Sequence, residues 1–488
     1  MFSEVDITFN VQSNVNYPVR IDILGNPYNP LDTVNATTEY QWDVTSFTFT
    51  NESYVVIQYQ INGAPTFSTY VSILPSQTIQ GVVDALNGLG IGFFNTYTQL
   101  GQTYISTYND NYTFGQLNIY AASLISPSFF YGTGFDAPVS AILTQSDGKI
   151  VCCGAFTTYN GTPVNGFVVR INTDGSIDNT FLVTTGFDTV PFSIAQQSDG
   201  KLVFVGGGFT LYNGNSVSAI VRLNTDGSYD STFVQGTGIT GLGANFVAIQ
   251  PDQNIVIAGT YNMDYNGTLG SLIRILPNGT VDGTFTAGVV GSPSLVPQIS
   301  KFVIQNDGKF VIIGDIDSYG GSGTVGYGII RVNSNGTYDS TFATGTGFNN
   351  SAFDISIQAD QKLLVGGSFT SYNATTCSYA IRLNTNGSVD SVFTGTSFDS
   401  TANSIIYLSD GKILVSGLFT TYNGISADGI VKLNSDTTID TTWNYGSGFG
   451  GTGSGILTTN SAQNLYNIGG SFTVFDGTPA NYIIQLTT

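Results

Sequence analysis

The sequence predicts an all-β chain: a seven-bladed β-propeller over residues 122–488, preceded by a β-sandwich-like domain with one short helix over 1–121. Three observations lead to this expectation. A period of 50–54 residues recurs from about residue 123. Each period divides into four short apolar runs at Asp-Gly and Asn-Gly dipeptides, the strongest short hairpin signals. Gly (60), Tyr (27) and Phe (33) are abundant beside only 14 Pro, which suits many short strands joined by tight turns. Four-stranded repeats of this length are the mark of propeller blades.

Composition narrows the function classes. The 488 residues are 41% hydrophobic, 13% aromatic and only 9% charged, the reverse of a disordered chain. Thirty-three acidic residues against 13 basic give a net charge of −20, so neither nucleic acid nor an anionic membrane is an expected partner. There is no His, and the only Glu are Glu4, Glu39 and Glu52, which removes histidine-based catalysis and zinc-His sites. Cys152, Cys153 and Cys377 lie in apolar runs and read as small buried hydrophobes. No stretch approaches the roughly 18 apolar residues of a membrane span. The polar-apolar alternation from Met1 to Asn10 suggests a strand, not a secretory leader.

In the first 121 residues, Val5, Ile7, Phe9 and Val11 alternate, as do Val19, Ile21 and Ile23, and Val55, Ile57, Tyr59 and Ile61. Each set is expected to form a half-buried strand. The helix is expected from Ser76 as N-cap, through Ile79, Val82, Val83 and Leu86 on one face, to Gly88 as terminator. Arg20 is the only basic residue of this domain.

The first repeat is read as strands at 139–144, 149–157, 166–172 and 176–181. An aromatic column, Tyr159, Tyr212, Tyr265, Tyr319, Tyr372, Tyr422 and Phe475, marks the turn after the second strand. At the third turn a three-residue loop ending in Gly175 sets Arg170 opposite Asp178. The pairing recurs as Arg222 with Asp230, Arg274 with Asp282, Arg331 with Asp339, Arg382 with Asp390 and Lys432 with Asp440. An exposed pair of this kind contributes about 0.2–1 kcal/mol. The seventh unit has Gln485 in the basic column, and its fourth strand is expected from Ser126-Pro127-Ser128-Phe129, where Ser126 takes the acidic position. Both halves of the charge pair are missing from the one blade divided between distant parts of the sequence. That favours a ring closed by residues 123–130 over an open solenoid, which would need caps.

The three spaced motifs are D-G-K in the second strand, F-T-x-Y-N-G at the next turn and R-h-N-x-D-G-S-h-D-x-x-F at the third. Together they resemble the delta-60 repeat family of β-propellers, over about three quarters of the chain. Departures are Asp252-Gln253-Asn254, Asp360-Gln361-Lys362 and Ala462-Gln463-Asn464 at the D-G-K position. The resemblance implies propeller architecture and no particular reaction. Such repeats occur in bacterial surface proteins and phage-encoded proteins, and a phage-encoded member is the expectation here.

Aspartate is the only carboxylate left in the repeats, and most of it falls in template columns. Asn278, Asn335 and Asn386 replace Asp at the third turn, which suits hydrogen-bonded Asx turns better than calcium. No metal, cofactor or catalytic residue is therefore expected. Asp315 and Asp317 are off-template; if the strand continued, their side chains would share one face and could hold a cation or act as paired acids, against the blander reading of a solvated edge. Because Phe475 stands in the aromatic column, that column reads as packing under the hairpin, not as a glycan platform. Eleven of the twelve basic residues of the repeats fall in two columns, with Lys301 the exception. Asn-x-Ser/Thr triplets such as those at Asn35 and Asn266 follow from composition.

Structural demands recur in every unit, so a specific contact is expected where units differ. The third and fourth differ most, and the candidate binding residues are Met263, Asp264, Asp315, Asp317 and Tyr319, with the connection at 289–297 and the loop at 315–324. Composition and repeats together lead to a non-enzymatic virion structural or surface protein: a fibre, capsid decoration or tail component. Its N-terminal domain is expected to dock on other virion proteins and its propeller to bind a host surface glycan or protein. A bacterial cell-surface or secreted adhesin is the alternative, and a propeller carbohydrate-active enzyme the third reading.

Overall fold

In the computed structural model the chain forms two compact units, Met1–Pro127 and Ser128–Thr488. The structure describes the backbone of eight strands in the first. In the second it describes Phe129 and residues 132–487 except 293–295, 323–325, 392–397, 444–447, 450–454, 461–464 and 477. The first unit contains two three-stranded antiparallel sheets. One has Gln102–Tyr108 between Glu39–Asp43 and Phe93–Gln99; the other has Ser53–Ile61 between Phe67–Ile73 and Tyr112–Ala121. The alternation at Val55, Ile57, Tyr59 and Ile61 lies in the central strand of the second, and Ile21 lies in a two-residue strand paired with Pro27–Tyr28. No α-helix occurs among the described residues. The helix expected from Ser76 and the run from Val5 to Val11 lie outside them.

The second unit repeats one small antiparallel sheet. In its first instance Ile150–Gly154 is central, flanked by Val139–Thr144 and Val168–Ile171. Seven such three-stranded sheets follow one another among the described residues, the last built from Gly455–Asn460, Leu465–Gly470 and Ile483–Thr487. The fourth strand expected at 176–181 is absent as a strand: Ile177 makes a single bridge back to Ile171, and the next residues turn away. The cause is Asp178, whose Oδ1 accepts from the N–H and hydroxyl of Thr180 in an Asx turn that takes the backbone off the ladder. The strand expected at 149–157 ends at Gly154, and Thr158–Tyr159 starts a separate hairpin with Thr162–Pro163. Asn160 (φ 50) and Gly161 (φ 70) form its two-residue turn, the positive-φ geometry that Asn-Gly favours.

The central strands, such as Leu202–Gly206 and Ile255–Gly259, are buried at every residue. Both their faces are covered because successive sheets pack against each other. One core cluster joins Val151, Cys153 and Val168 to Leu202, Phe204 and Phe209; another joins Val203 and Val205 to Ile255 and Ile257. The first strands of successive sheets pack side by side, and Val139–Thr144 packs on the first and second strands of the last sheet. There Asn467 Nδ2 donates to Thr144 Oγ1 (2.7 Å), Phe135 N–H to Asn481 O (3.0 Å) and Asn481 Nδ2 to Thr133 O (2.9 Å).

One irregularity prepares the surface. In six sheets the register slips by one residue where the first strand meets the end of the second, for example between Pro191 and Ser193 and between Ala352 and Asp354. The bulged residue loses its ladder partner and turns outward. Phe192 and Phe353 are bulged residues of this kind, and both are exposed.

Candidate functional site

The recurring Arg and Asp residues sit in joints between units and are not exposed pairs as expected. Arg170, Asp178 and their counterparts are buried, except Arg274, which is partly exposed. Arg Nε to Asp Oδ2 distances are 2.7 Å (Arg170 and Asp178), 2.6 Å (Arg222 and Asp230), 2.7 Å (Arg274 and Asp282), 2.7 Å (Arg331 and Asp339) and 2.9 Å (Arg382 and Asp390). Each Arg also reaches the third turn of the following unit through Nη1: Arg274 donates to Ser334 O (2.9 Å), Arg331 to Thr385 O (2.7 Å) and Arg382 to Ser435 O (2.8 Å), while Arg170 and Arg222 donate to Thr225 and Pro277. A Phe closes the joint, with the guanidinium of Arg170 4.6 Å from the centre of the Phe181 ring.

The lysine of the first turn, whose role the sequence did not reveal, binds the same carboxylate. Lys149, Lys201, Lys309, Lys362 and Lys412 lie 2.6–3.0 Å from Asp178, Asp230, Asp339, Asp390 and Asp440. Asn254 holds that position in the third unit. The sixth joint departs from the pairing read from sequence. Lys432 Nζ is 4.0 Å from Asp440, closer to Asp410 (3.3 Å), and faces the Tyr466 ring. In the seventh unit Gln485 donates to Asn467 Oδ1 (2.7 Å); Ser126 lies outside the described residues.

The other template residues also serve structure. Tyr159 donates its hydroxyl to Gly175 O (2.8 Å), tying the second hairpin to the third turn, and Tyr212, Tyr265, Tyr372 and Tyr422 make the same link in their own units. The first- and third-turn carboxylates accept from the backbone two residues on, as in Asp147 to Lys149 N and Asp174 to Ser176 N. A further column emerges only in the structure. Asp136, Asp188, Asn349 and Asp399 cap the second hairpin by accepting two consecutive N–H groups, as Asp188 does from Thr210 and Leu211. Among the described residues no three His, Cys, Asp or Glu side chains converge as a metal site would require. Burial pushes the Cys377 thiol up to about 12, away from a reactive thiolate.

These environments fix a pH response. Burial opposes ionisation of Asp178, Asp230 and Asp339, but Lys, Arg and Thr hydrogen bonds outweigh it and hold the carboxyls well below the usual 3.8. Depressed acids stabilise the fold above their unfolded pKa and lose that contribution as pH falls through the folded value. Burial raises the hydroxyls of Tyr212, Tyr265, Tyr319 and Tyr372, and that of Tyr422 to about 12, so their contribution is full below 10 and is lost as pH rises beyond it. With no His in the chain, denaturant midpoints should be level from about pH 5 to 9 and fall on either side. A stability transition centred near pH 6–7 would contradict this assignment.

The third and fourth units break the template, and their surface is the candidate site. Neither keeps the hairpin-capping Asp. Instead Ile239–Thr240 pairs with Asp264–Tyr265, and Val290–Gly291 with Ser318–Tyr319. The structure joins the two irregular segments: Tyr261 N–H donates to Pro297 O (2.9 Å), Thr260 bridges to Gln298, and Asn245 Nδ2 donates to Gln298 Oε1 (2.9 Å). Leu242 N–H donates to Asn262 Oδ1 (3.2 Å), and a Cβ on Gly243 would fall 2.6 Å from Gly207 Cα, over which the Phe192 ring lies. On these linked segments Phe192 (45% exposed), Leu242 (51%), Tyr261 (38%) and Val296 (40%) meet solvent in the region of the amides of Asn245, Asn262 and Gln298.

Two of the five expected binding residues are not available there, while Asp264 is partly exposed. Met263 is wholly buried in the core between the second and third sheets, and Tyr319 is buried with its hydroxyl on Gly336 O (3.1 Å). Asp264 accepts from Gly267 N–H (2.8 Å) within its own hairpin. Asp315 and Asp317 remain partly exposed, but they do not continue one strand: the strand ends at Asp315 and Ile316 is wholly buried between them. Asp315 Oδ1 accepts from Ser292 Oγ (2.6 Å) and Tyr327 OH (3.1 Å). Burial, the hydrogen bond to Asp315 and the negative charges of both aspartates raise the Tyr327 hydroxyl above its usual 10.

A family model described as "Domain of unknown function (DUF5122) beta-propeller" matches residues 145–181, 197–233, 250–285, 305–342, 358–393 and 408–442. The chain carries β-propeller repeats. Each matched segment begins at the first turn and includes the basic residue and the Asp of its own unit, and omits the first strand and the connection before it. No curated protein matches the sequence. Among solved structures the chain is similar to a gluconolactonase from Xanthomonas campestris (12% identity, TM-score 0.34, 74% of this chain and 98% of that one). It is also similar to YCF48 bound to a D1 peptide (11%, 0.39, 75% and 99%) and to a xyloglucanase from Xanthomonas campestris (11%, 0.23, 68% and 53%).

Proposed function

We propose that the chain is a non-enzymatic binding protein displayed on a virus particle, a fibre, decoration or tail component, with residues 1–121 docking on the particle and a seven-bladed ring facing outward. The observation that carries the binding reading is the placement of the irregularity. Four units cap the second hairpin with the template Asp or Asn, while the third and fourth expose apolar and amide side chains in its place. Structural need alone would have kept the template, and exposed contiguous apolar side chains mark interaction sites. A closed ring of delta-60 type is supported by the contacts of the first sheet with the last and by the buried ring of Phe129, the residue matched to the Phe181 column. The virion reading rests on composition, and a bacterial surface adhesin is the alternative. In purified particles the chain should be found by mass spectrometry; with residues 240–243, 289–297 and 315–324 exchanged for those of the second unit, it should still fold and still enter particles that no longer attach. Normal attachment of those particles would move the functional surface to residues 1–121, and a chain found only in cell envelopes would favour the adhesin.

A further inference from the structure

Lys301, the one basic residue of the repeats outside the two template columns, sits on the first strand of the fourth sheet just past the bulge. Equivalent positions show what the fold requires there. Ser193 Oγ accepts from Val247 N–H of the next sheet (3.2 Å), and Asp354 Oδ2 accepts from Ile405 N–H (2.9 Å), so a polar side chain caps an edge N–H that has no ladder partner. A hydroxyl is sufficient for this. Asp354 nevertheless carries a charge, is buried, and is already held by Ile355 N–H (2.8 Å), Ser404 Oγ (2.7 Å) and Ile405 N–H. Lys301 adds a fourth donor that the carboxylate does not need for satisfaction. Burying a carboxylate where a neutral cap serves is costly.

The ammonium has three N–H donors, of which Asp354 takes one. Its side chain is 29% exposed, and Nζ lies 5.8 Å from the centre of the partly buried Phe246 ring on the preceding sheet. We infer that Lys301 and Phe246 form a recognition site for a neutral saccharide where the first strands of the third to fifth units meet. The two remaining donors bind sugar hydroxyl oxygens and the ring covers an apolar sugar face, the pairing of a few placed polar groups with an aromatic wall that small-ligand sites use. Asp354 cancels the charge of Lys301 and the net charge of −20 repels acidic sugars, so the expected ligand is uncharged.

This inference rests on the binding reading but not on the irregular loops. Titration calorimetry and saturation-transfer NMR on the full chain would use maltotetraose, cellotetraose, mannotetraose and chitotetraose, with sialyllactose as the acidic arm. At least one neutral tetrasaccharide should bind, and Lys301→Met and Phe246→Leu should each weaken it roughly tenfold or more. Lys201→Met, which removes an ammonium from the Arg222 joint, should leave affinity unchanged, and melting curves would confirm that the variants fold. The loop-exchanged chain should bind the same sugar undiminished, so loss of attachment and loss of sugar binding are separable. Binding by none of the four, binding insensitive to both Lys301→Met and Phe246→Leu, or Lys301-dependent binding of sialyllactose alone would overturn the inference.

Discussion

Replacing Asp230 with alanine is expected to destabilise the second unit by about 3–5 kcal/mol, the cost of removing one partner from a buried ion pair. The carboxylate is 2% exposed and holds Arg222, Lys201 and both donors of Thr232. Its loss leaves a buried guanidinium with only its neutral acceptors, Gln197, Pro277 and Thr232, and releases the Asx turn that ends the unit. Arg222→Met combined with Asp230→Leu should recover much of the loss, because removing both charges of a buried pair is far less costly than removing one. A double-mutant cycle in denaturant melts would therefore give a large coupling, well above the 0.2–1 kcal/mol of an exposed pair. A coupling within that lower range would mean that water reaches the joint.

Deleting residues 1–130 is expected to make the remaining chain aggregate. If the ring closes through residues 123–130, their loss uncovers the edge of Ile483–Thr487, whose apolar members are buried. An unpaired apolar edge recruits other chains. It would also remove Phe129, whose ring is buried. Size-exclusion and light scattering of the truncated protein would report the change. A truncated chain that is monomeric and melts with the full chain would end the closure argument.

The legibility of this fold differed with the range of the forces involved. Arg170 and Asp178 could be paired from eight residues of sequence because a hairpin brings them together by local geometry. Lys149, 29 residues from Asp178, and Thr225, 55 residues from Arg170, join the same cluster only through sheet packing. No local pattern announces that. The hairpin-capping column of Asp136, Asp188 and Asp399 was hidden for the same reason. The full burial of the central strands has the same origin, since their second covered face is supplied only by neighbouring units. The candidate surface was legible as a place and not as a set of side chains. Irregular sequence located the third and fourth units, yet within them Met263 and Tyr319 fill the core, while Leu242, Tyr261 and Val296 meet solvent.

Because each arginine holds a carbonyl of the following unit, the mechanical module of this protein is out of phase with its sequence repeat. A recombination event that copied one repeat from first strand to last would cut a joint at each end, leaving an arginine without its acceptor at one and a turn without its donor at the other. Each joint runs from the lysine of one unit to the third turn of the next, as from Lys149 to Thr225, so no frame of a single repeat carries it whole. Grafts intended to transplant a recognition loop should therefore leave the first- and third-turn residues of both neighbouring units in place.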